Sequence, residues 1–356
     1  MSLLHFNLYF VMVFFFLFLG ISKANYTRTS HYEQEEATIA KTIIVDQKGR
    51  GHFTGIQKAI DSVPSKNNQW TLIHVKPGIY IEKVEVPVDK QFIILQGESR
   101  KTTRIQYGDC GSSTRSSTFI LNADNFVAVN ISFKNTYNLV IPRAAGRSIL
   151  WAPAATIYSD KASFYGCGFY GVQDTLTDFK GRHYFKFCYI EGAIDFIWGR
   201  GQSVYQRCVI NAKTGILNGT AGYITAQGRR SPNDEDGFSF LSCYIYGTGP
   251  VYLGRAYGQY STVVFRTSYL SDVVKPEGWE AWFFIGRENG IKYSEVSCFG
   301  PGANKSRRVK WEKTLSTRDL KKLTNINHFI NGDRWIQQQP QVDGFKNNLK
   351  SDDYFP

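Results

Sequence analysis

The sequence predicts an all-β solenoid, because a short β-rich unit recurs along most of the chain. In each copy an aromatic or apolar residue lies three positions before a central residue, an apolar residue two positions after it, and a small turn residue four positions after it. The central residues, of which the first marks the weakest copy, are Ile131, Cys167, Cys188, Cys208, Cys243 and Ser268. A period of about 20 residues with variable insertions is typical of a parallel β-helix, whose loops absorb differences in length. An antiparallel sandwich is the alternative, although its strands need not repeat their sequence in one register.

Residues 1–24 have the pattern of a secretory signal peptide. An apolar run from Leu8 to Ile21 precedes Ser22-Lys23-Ala24, and this triplet is a plausible cleavage site. The run is short for a membrane span, and the alternatives are a buried helix or a signal anchor. Residues 25–42 are polar and uneven, which favours a loose leader.

A single ordered domain is predicted over residues 43–338, with a C-terminal tail at 339–356. Beyond about Ser316 the repeat fades, and Asn325–Ile336 is expected to pack against the solenoid as a closing segment. No second domain and no low-complexity linker is indicated.

The start of the domain is predicted to cap the solenoid. A short strand is expected at Thr42–Val45, and a helix from Phe53 to Val63 with Thr54 as its N-cap and Pro64 as its stop. Such a helix suits a lid over the first coil, which otherwise exposes an apolar core.

Several features agree with an extracellular protein. The net charge of +12 agrees with acidic polysaccharides rather than nucleic acid as partners outside the cell, and the alternative is that the surplus lysines only aid solubility. Six cysteines are too few for a disulfide-built scaffold, although an oxidising compartment permits one or more bridges. The candidate N-glycosylation sites are Asn25, Asn130, Asn218 and Asn304.

The chemical motifs that are missing narrow the possible functions. The chain has no GxSxG nucleophile elbow, no HExxH, no CxxC and no Asp-Thr-Gly motif. The glycines between Gly49 and Gly55 have the wrong spacing for a dinucleotide loop. We therefore expect neither a metal ion nor an organic cofactor.

Two aspartates carry the main indication of catalysis. Asp174 and Asp195 each lie seven residues after the cysteine of their repeat, so that adjacent coils place them roughly 5 Å apart by strand spacing. Two carboxyl groups that close cannot both ionise easily, which favours an acid beside a nucleophile or base. A single buried Asp is usually a turn or cap residue, but two in one register, with Gln173 preceding the first, favour function. Arg255 either supplies a cation to one carboxylate or is a surface arginine near a turn.

Aromatic residues flank the same segments, and their role stays open on composition alone. They can stack on sugar rings or pack in the core, which is the more common use of an aromatic side chain. They are Trp198, Tyr257, Trp279 and Trp282.

Together these segments resemble the plant pectin methylesterases, also called pectinesterases. The resemblance runs from about Ile43 to Trp335, and the order of its markers makes it specific. The markers are Gly78–Glu82, Gly171–Leu176, Gly192–Gly199, Ile224–Arg229, Leu253–Arg255, Pro276–Trp279 and Gly300–Asn304. The family implies a right-handed parallel β-helix, here in the short form without an N-terminal inhibitor-like pro-domain.

The resemblance also implies roles for individual residues. Asp195 matches the nucleophile, Asp174 the acid and base, Gln173 an oxyanion donor, and Arg255 the cation that holds the nucleophile. The residues implied to contact substrate are Trp198, Tyr257 and Trp279. The positions of Cys208 and Cys243 resemble those of a family disulfide.

Three residues depart from the family pattern. Trp151 stands where the family usually has a second oxyanion glutamine, and the loss of one such donor lowers the rate by roughly 10²–10³-fold. Tyr257 replaces a frequent Trp, and Thr177 replaces a frequent Tyr, which removes one groove contact.

The sequence thus favours a secreted pectinesterase of the cell wall that removes methyl esters from galacturonate and releases methanol. The alternative is a pectin-binding wall protein of little activity, because of Trp151. A polysaccharide lyase or galacturonan hydrolase shares the solenoid and substrate but not the markers. The partners implied are methylated homogalacturonan and a proteinaceous pectinesterase inhibitor, with the enzyme expected as a monomer and without a membrane span after signal cleavage.

Overall fold

The computed structural model describes residues 37–139 and 148–341, which all fall within one compact unit that begins at Glu36. The described residues form three parallel sheets, and the predicted parallel β-helix is confirmed. The predicted signal peptide, the leader before residue 37 and the tail after residue 341 lie outside the described residues.

Each complete coil contributes one strand to each of three sheets, which we call A, B and C. Sheet A has ten strands: β1 (Ile39–Val45), β2 (Trp70–Val75), β5 (Ile93–Gly97), β8 (Phe126–Val129), β11 (Ala162–Tyr165), β14 (Arg182–Lys186), β17 (Gln202–Gln206), β20 (Gly237–Leu241), β23 (Thr262–Arg266) and β26 (Lys292–Val296). Sheet B has eight: β3 (Gly78–Ile81), β6 (Thr103–Tyr107), β9 (Ser132–Asn135), β12 (Gly168–Tyr170), β15 (Tyr189–Gly192), β18 (Val209–Ala212), β21 (Tyr244–Gly247) and β24 (Tyr269–Leu270). Sheet C also has eight: β4 (Val84–Val86), β7 (Phe119–Leu121), β10 (Ala155–Ile157), β13 (Leu176–Asp178), β16 (Ile197–Gly199), β19 (Gly222–Gln227), β22 (Val251–Arg255) and β25 (Trp279–Glu280).

The aromatic position of the repeat forms a stack inside the solenoid. Its members pair in register along sheet A and lie face to face, with ring centroids 4.9, 4.6, 4.5 and 4.4 Å apart from one coil to the next. The stack consists of Phe164, Phe185, Tyr205, Phe240 and Phe265. The repeated aromatic position in the sequence therefore corresponds to one continuous core in the structure.

A tight corner explains the central position of the repeat. The residue before it adopts a left-handed conformation in every copy and turns the chain from sheet A into sheet B. The φ angles are 53° at Asn130, 60° at Gly166, 56° at Phe187, 52° at Arg207, 54° at Ser242 and 51° at Thr267. Side chains other than glycine are strained there, by about 1–3 kcal/mol each, so the stacked coils must impose the corner.

The disulfide that the resemblance implied is absent from the structure. Cys208 and Cys243 are both buried free thiols. Their thiols donate instead to main-chain carbonyls, that of Phe185 at 3.6 Å and that of Tyr205 at 3.2 Å. The buried cysteines thus act in the structure as small core residues.

The cap at the N-terminal end forms as predicted, but with different limits. The first strand begins at Ile39 rather than Thr42, and the helix α1 spans only Ile56–Asp61. Its N-cap is Gly55 and not Thr54, because the Glu82 carboxylate accepts the first two helical amides at 2.8 and 3.0 Å. A carboxylate at a helix N-terminus also complements the helix dipole.

Two short helices, α2 (Thr317–Thr324) and α3 (Ile326–Phe329), follow the last coil. The predicted closing segment does pack on the solenoid, against apolar side chains on the outer face of sheet A. Its buried residues there include Phe329, Ile330 and Trp335. In the part of the chain that is described, no helix is both long and apolar enough to cross a bilayer.

The aromatic stack predicts a large loss of stability on truncation at its middle. Phe240→Ala should lower the free energy of unfolding by about 3–5 kcal/mol, because the ring is fully buried between two stacked neighbours. The measurement is urea unfolding followed by fluorescence. Phe299→Ala is the matched control, since that ring is 55% exposed and its removal should change the same quantity by about 0.5 kcal/mol. Equal effects of the two variants would contradict the stack as a stabilising core.

Candidate active site

The two aspartates lie in equivalent connections between sheet B and sheet C. Asp174 precedes β13 and Asp195 precedes β16, which are neighbouring strands. Gln173 and Ile194 form a parallel bridge, and the amide of Asp174 donates to the carbonyl of Ile194 at 3.1 Å. The connections therefore stack in register, as the repeat predicted.

Both aspartates adopt the left-handed conformation, with φ angles of 59° at Asp174 and 48° at Asp195. Strained backbone of this kind is concentrated at functional sites. The small residue of the repeat makes the turn possible, because a Cβ on Gly192 would lie 2.2 Å from the Cβ of Phe196. The local fold thus presents each carboxyl group in the same way.

Arg255 holds the Asp195 carboxylate with a two-point contact. Its Nε donates to Oδ1 at 2.7 Å, and its Nη2 donates to Oδ2. The guanidinium carbon lies 4.2 Å from the Tyr223 ring centroid and 3.7 Å from that of Trp282. The bidentate ion pair and the two aromatic contacts together fix the position and the plane of the guanidinium group.

The pKa values of the two carboxyl groups are driven apart. Burial, and next to it the charge of Asp195, raise the pKa of Asp174 to about 8, against the opposing charge of Arg255. Burial also raises the pKa of Asp195 above its usual value, but the hydrogen bonds and charge of Arg255 counteract it. Asp195 is therefore the first to ionise, and Asp174 keeps its proton at neutral pH.

Asp174 and Asp195 lie in a cleft of about 640 Å³. Its lining includes six of the seven residues that the resemblance assigned to catalysis or substrate contact: Gln173, Asp174, Asp195, Trp198, Arg255 and Tyr257. It also includes Trp151, Trp282, Phe283 and the loop Gly111–Ser113, of which the loop and Phe283 were not foreseen. The only signal for the loop was its run of small polar residues.

Trp279 does not reach this cleft, and its assignment as a substrate contact is wrong for this structure. The side chain is 1% exposed, packs 4.6 Å from the Tyr293 ring centroid, and donates from Nε1 to Glu295 at 3.2 Å. As a strand residue of β25 it points into the core, whereas Trp282 follows in a 3₁₀ turn and reaches the cleft.

Two of the three departures from the family pattern, Trp151 and Thr177, have distinct surroundings. Trp151 is 52% exposed at the edge of the cleft. Thr177 is buried, and its hydroxyl donates to the Ser113 carbonyl at 2.9 Å. Thr177 therefore ties the loop to β13 and does not itself line the groove.

The remaining candidate sites are distributed over the surface. Asn218 and Asn304 are exposed, Asn130 is half-buried at a tight corner, and Asn25 lies outside the described residues. Within residues 37–139 and 148–341, no group of three His, Cys, Asp or Glu side chains is arranged to hold a metal ion.

Comparison with known proteins places the chain in one family. The Pectinesterase family model matches residues 42–333. Probable pectinesterase 29 of Arabidopsis thaliana is 50% identical over 300 residues, which cover 84% of this chain and 89% of that protein. Probable pectinesterase 55 of the same plant is 48% identical over 84% of this chain and 91% of its own length. The solved pectin methylesterase from carrot is 30% identical with a TM-score of 0.78, over 86% of this chain and 99% of that one. The chain therefore belongs to the pectinesterase family, the carboxylic ester hydrolases that demethylate pectin.

Proposed function

We propose that Asp195 is the nucleophile and Asp174 the acid and base of pectin demethylation in this chain. The observation that carries the proposal is the unequal environment of the pair, with Arg255 on Asp195 alone and a raised pKa on Asp174. An ionised carboxylate can attack an ester, and a protonated one can supply the leaving group with its proton.

The reaction then has two steps. In the first, a carboxylate oxygen of Asp195 attacks the ester carbonyl carbon, and the Gln173 amide donates to the oxyanion of the tetrahedral intermediate. The bond to the methoxy oxygen breaks, Asp174 gives its proton to departing methanol, and an acyl-enzyme anhydride remains. In the second, ionised Asp174 takes a proton from water, whose oxygen attacks the galacturonate acyl carbon. The tetrahedral intermediate expels the Asp195 carboxylate, which regenerates the nucleophile, and Asp174 is protonated again. The galacturonic acid that is freed loses its proton to solvent.

We further propose that the protein acts in the cell wall as a secreted monomer. The apolar N-terminal run, the net charge of +12 and the exposed sequons at Asn218 and Asn304 support this setting. Its polymeric substrate would be methylated homogalacturonan, and a proteinaceous pectinesterase inhibitor would be a second partner.

A pectin-binding protein with little activity is the second candidate. Trp151 favours it, because an indole stands where the family usually has an amide donor. The three exposed aromatic residues at the cleft, Trp151, Tyr257 and Phe283, would still offer surface for sugar rings.

Methanol release from methylated pectin separates the two candidates. Wild-type protein should release methanol, and Asp195→Asn should lower kcat at least about 10³-fold because the amide is not a nucleophile. Circular dichroism checks that the variant folds. Release by wild type no greater than by Asp195→Asn would support the binding protein instead.

The pH profile tests the assigned roles. The pKa values of both carboxyl groups are raised in the folded protein. In acid, kcat/KM should fall because Asp195 gains a proton at a pH above 3.8, the unperturbed pKa of an aspartate. Near pH 8, kcat/KM should fall again because Asp174 loses its proton. The measurement is initial rate against pH at low substrate. Activity that stays flat down to about pH 3 would contradict Asp195 as an ionised nucleophile.

Trp151→Gln tests the altered oxyanion site. If the oxyanion site lacks a hydrogen-bond donor, the new amide should raise kcat by about 10-fold or more, which approaches the rate effect of a single oxyanion donor. Trp151→Phe is the control, since it keeps an aromatic ring without adding a side-chain amide. Unchanged turnover in Trp151→Gln would mean that another donor already serves the intermediate.

A further inference from the structure

Arg255 reaches Asp195 across an intervening strand. Arg255 lies at the end of β22 and Asp195 just before β16, and β19 separates these two strands in sheet C. Tyr223, near the start of β19, lies beneath the guanidinium with its ring centroid at 4.2 Å. The aromatic ring therefore supports the arginine over the span that it has to cross.

A second carboxylate competes for the same arginine. Glu280 on β25 is the register partner of Arg255 on β22, and paired residues on parallel strands lie about 5 Å apart. An arginine and a glutamate that close readily form an ion pair. Yet both contacts of the guanidinium to carboxylate go to Asp195, and none of the ion pairs found among the described residues joins Arg255 to Glu280.

The hydroxyl of Tyr223 accounts for this choice. It donates to Oε2 of Glu280, so this carboxylate has a hydrogen-bond partner other than Arg255. Tyr223 is thus in contact with the arginine through its ring and with the competing carboxylate through its oxygen.

We propose that Tyr223 is a positioning residue that keeps Glu280 off Arg255 and so commits the guanidinium to Asp195. The inference rests on the roles proposed above for Asp195 and Arg255. Tyr223 itself does not line the cleft of the two aspartates, and it acts through Arg255.

The charges around the pair give the expected signs. Glu280 is close enough to Asp195 to raise its pKa, and to Arg255 to raise that pKa as well. Removing the Glu280 charge should therefore make Asp195 easier to ionise. Releasing Glu280 towards Arg255 should make Asp195 harder to ionise, since the arginine is then shared. The titratable groups that face the Asp195–Arg255 pair from the packed elements are Asp174, Tyr223, Glu280 and Tyr293.

The test measures the pKa of Asp195 directly, by ¹³C NMR of protein labelled at the aspartate carboxyl carbons, with the signal assigned from Asp195→Asn. Tyr223→Phe should raise this pKa by about 0.5–1 unit, and Glu280→Gln should lower it by a similar amount. The double variant should follow Glu280→Gln, because no charge is left to compete. Tyr252→Phe is the matched control, since Tyr252 stacks on Tyr223 at 5.3 Å from the next strand, and it should leave the pKa unchanged.

Activity gives an independent measurement of the same effect. The acid limb of kcat/KM should move to higher pH in Tyr223→Phe and to lower pH in Glu280→Gln. A merely structural role for the tyrosine would lower activity without moving the limb, and it would not be relieved in the double variant.

The outcomes that overturn the inference are specific. Equal titration curves for Tyr223→Phe and Tyr252→Phe would remove any role of the hydroxyl, and an upward shift that persists in the double variant would show that Glu280 is not involved. If Tyr223→Phe does not fold, an unshifted pKa in Glu280→Gln still refutes the competition. Absence of methanol release by wild type would reject the proposed function instead, because the NMR titration does not require turnover.

Discussion

The in-register stacking of parallel coils is the constraint on which the rest of the structure depends. Hydrogen bonds between neighbouring strands fix the spacing at about 4.8 Å, so equivalent residues of successive repeats must lie side by side. In the core this requirement aligns aromatic rings, and at the corners it imposes left-handed backbone on residues such as Arg207 and Thr267. At the cleft the same spacing holds two carboxyl groups close together, although their negative charges repel each other. One geometric rule therefore produces the stability of the solenoid and the electrostatic strain of its site.

Asymmetry along the stack distinguishes the two carboxyl groups. Asp174 and Asp195 have the same backbone conformation and both are buried, but only Asp195 contacts an arginine. The arginine comes from a strand two places farther along the sheet, so the repeat brings the acids together while a non-repeated residue distinguishes them. Tyr223 and Glu280, which occupy the intervening and the following strand, are part of this difference because they determine how fully the arginine serves one acid. The proposed chemistry thus depends on residues that break the repeat.

The distinction between repeated and non-repeated residues also explains what could be predicted from the sequence. The copies around Cys167 and Cys188 predicted the solenoid and the pairing of the acids, because stacking makes equal register equivalent to contact in space. Register does not report the direction of a side chain outside the repeat, and it was the family resemblance that favoured buried Trp279 over Trp282. Contacts between distant segments leave no local signal either: Glu82 caps a helix 26 residues earlier, and Tyr223 meets Glu280 across 57 residues. The family resemblance carried the residue roles, but it also implied a disulfide that the structure does not contain.

Trp151 bears differently on two properties of the cleft, the binding of sugar rings and catalysis. The base of the cleft, with its carboxyl groups and Gln173, can perform chemistry, whereas its exposed aromatic edge can hold sugar rings. An indole at the edge offers apolar surface for a sugar, whereas the amide that the family usually has at this position would offer a hydrogen-bond donor. Binding energy that is equal in the ground state and the transition state does not raise kcat, so a stronger edge does not offset a weaker oxyanion site. The proposal that this cleft retains pectin more than it turns it over therefore depends on one side chain, Trp151.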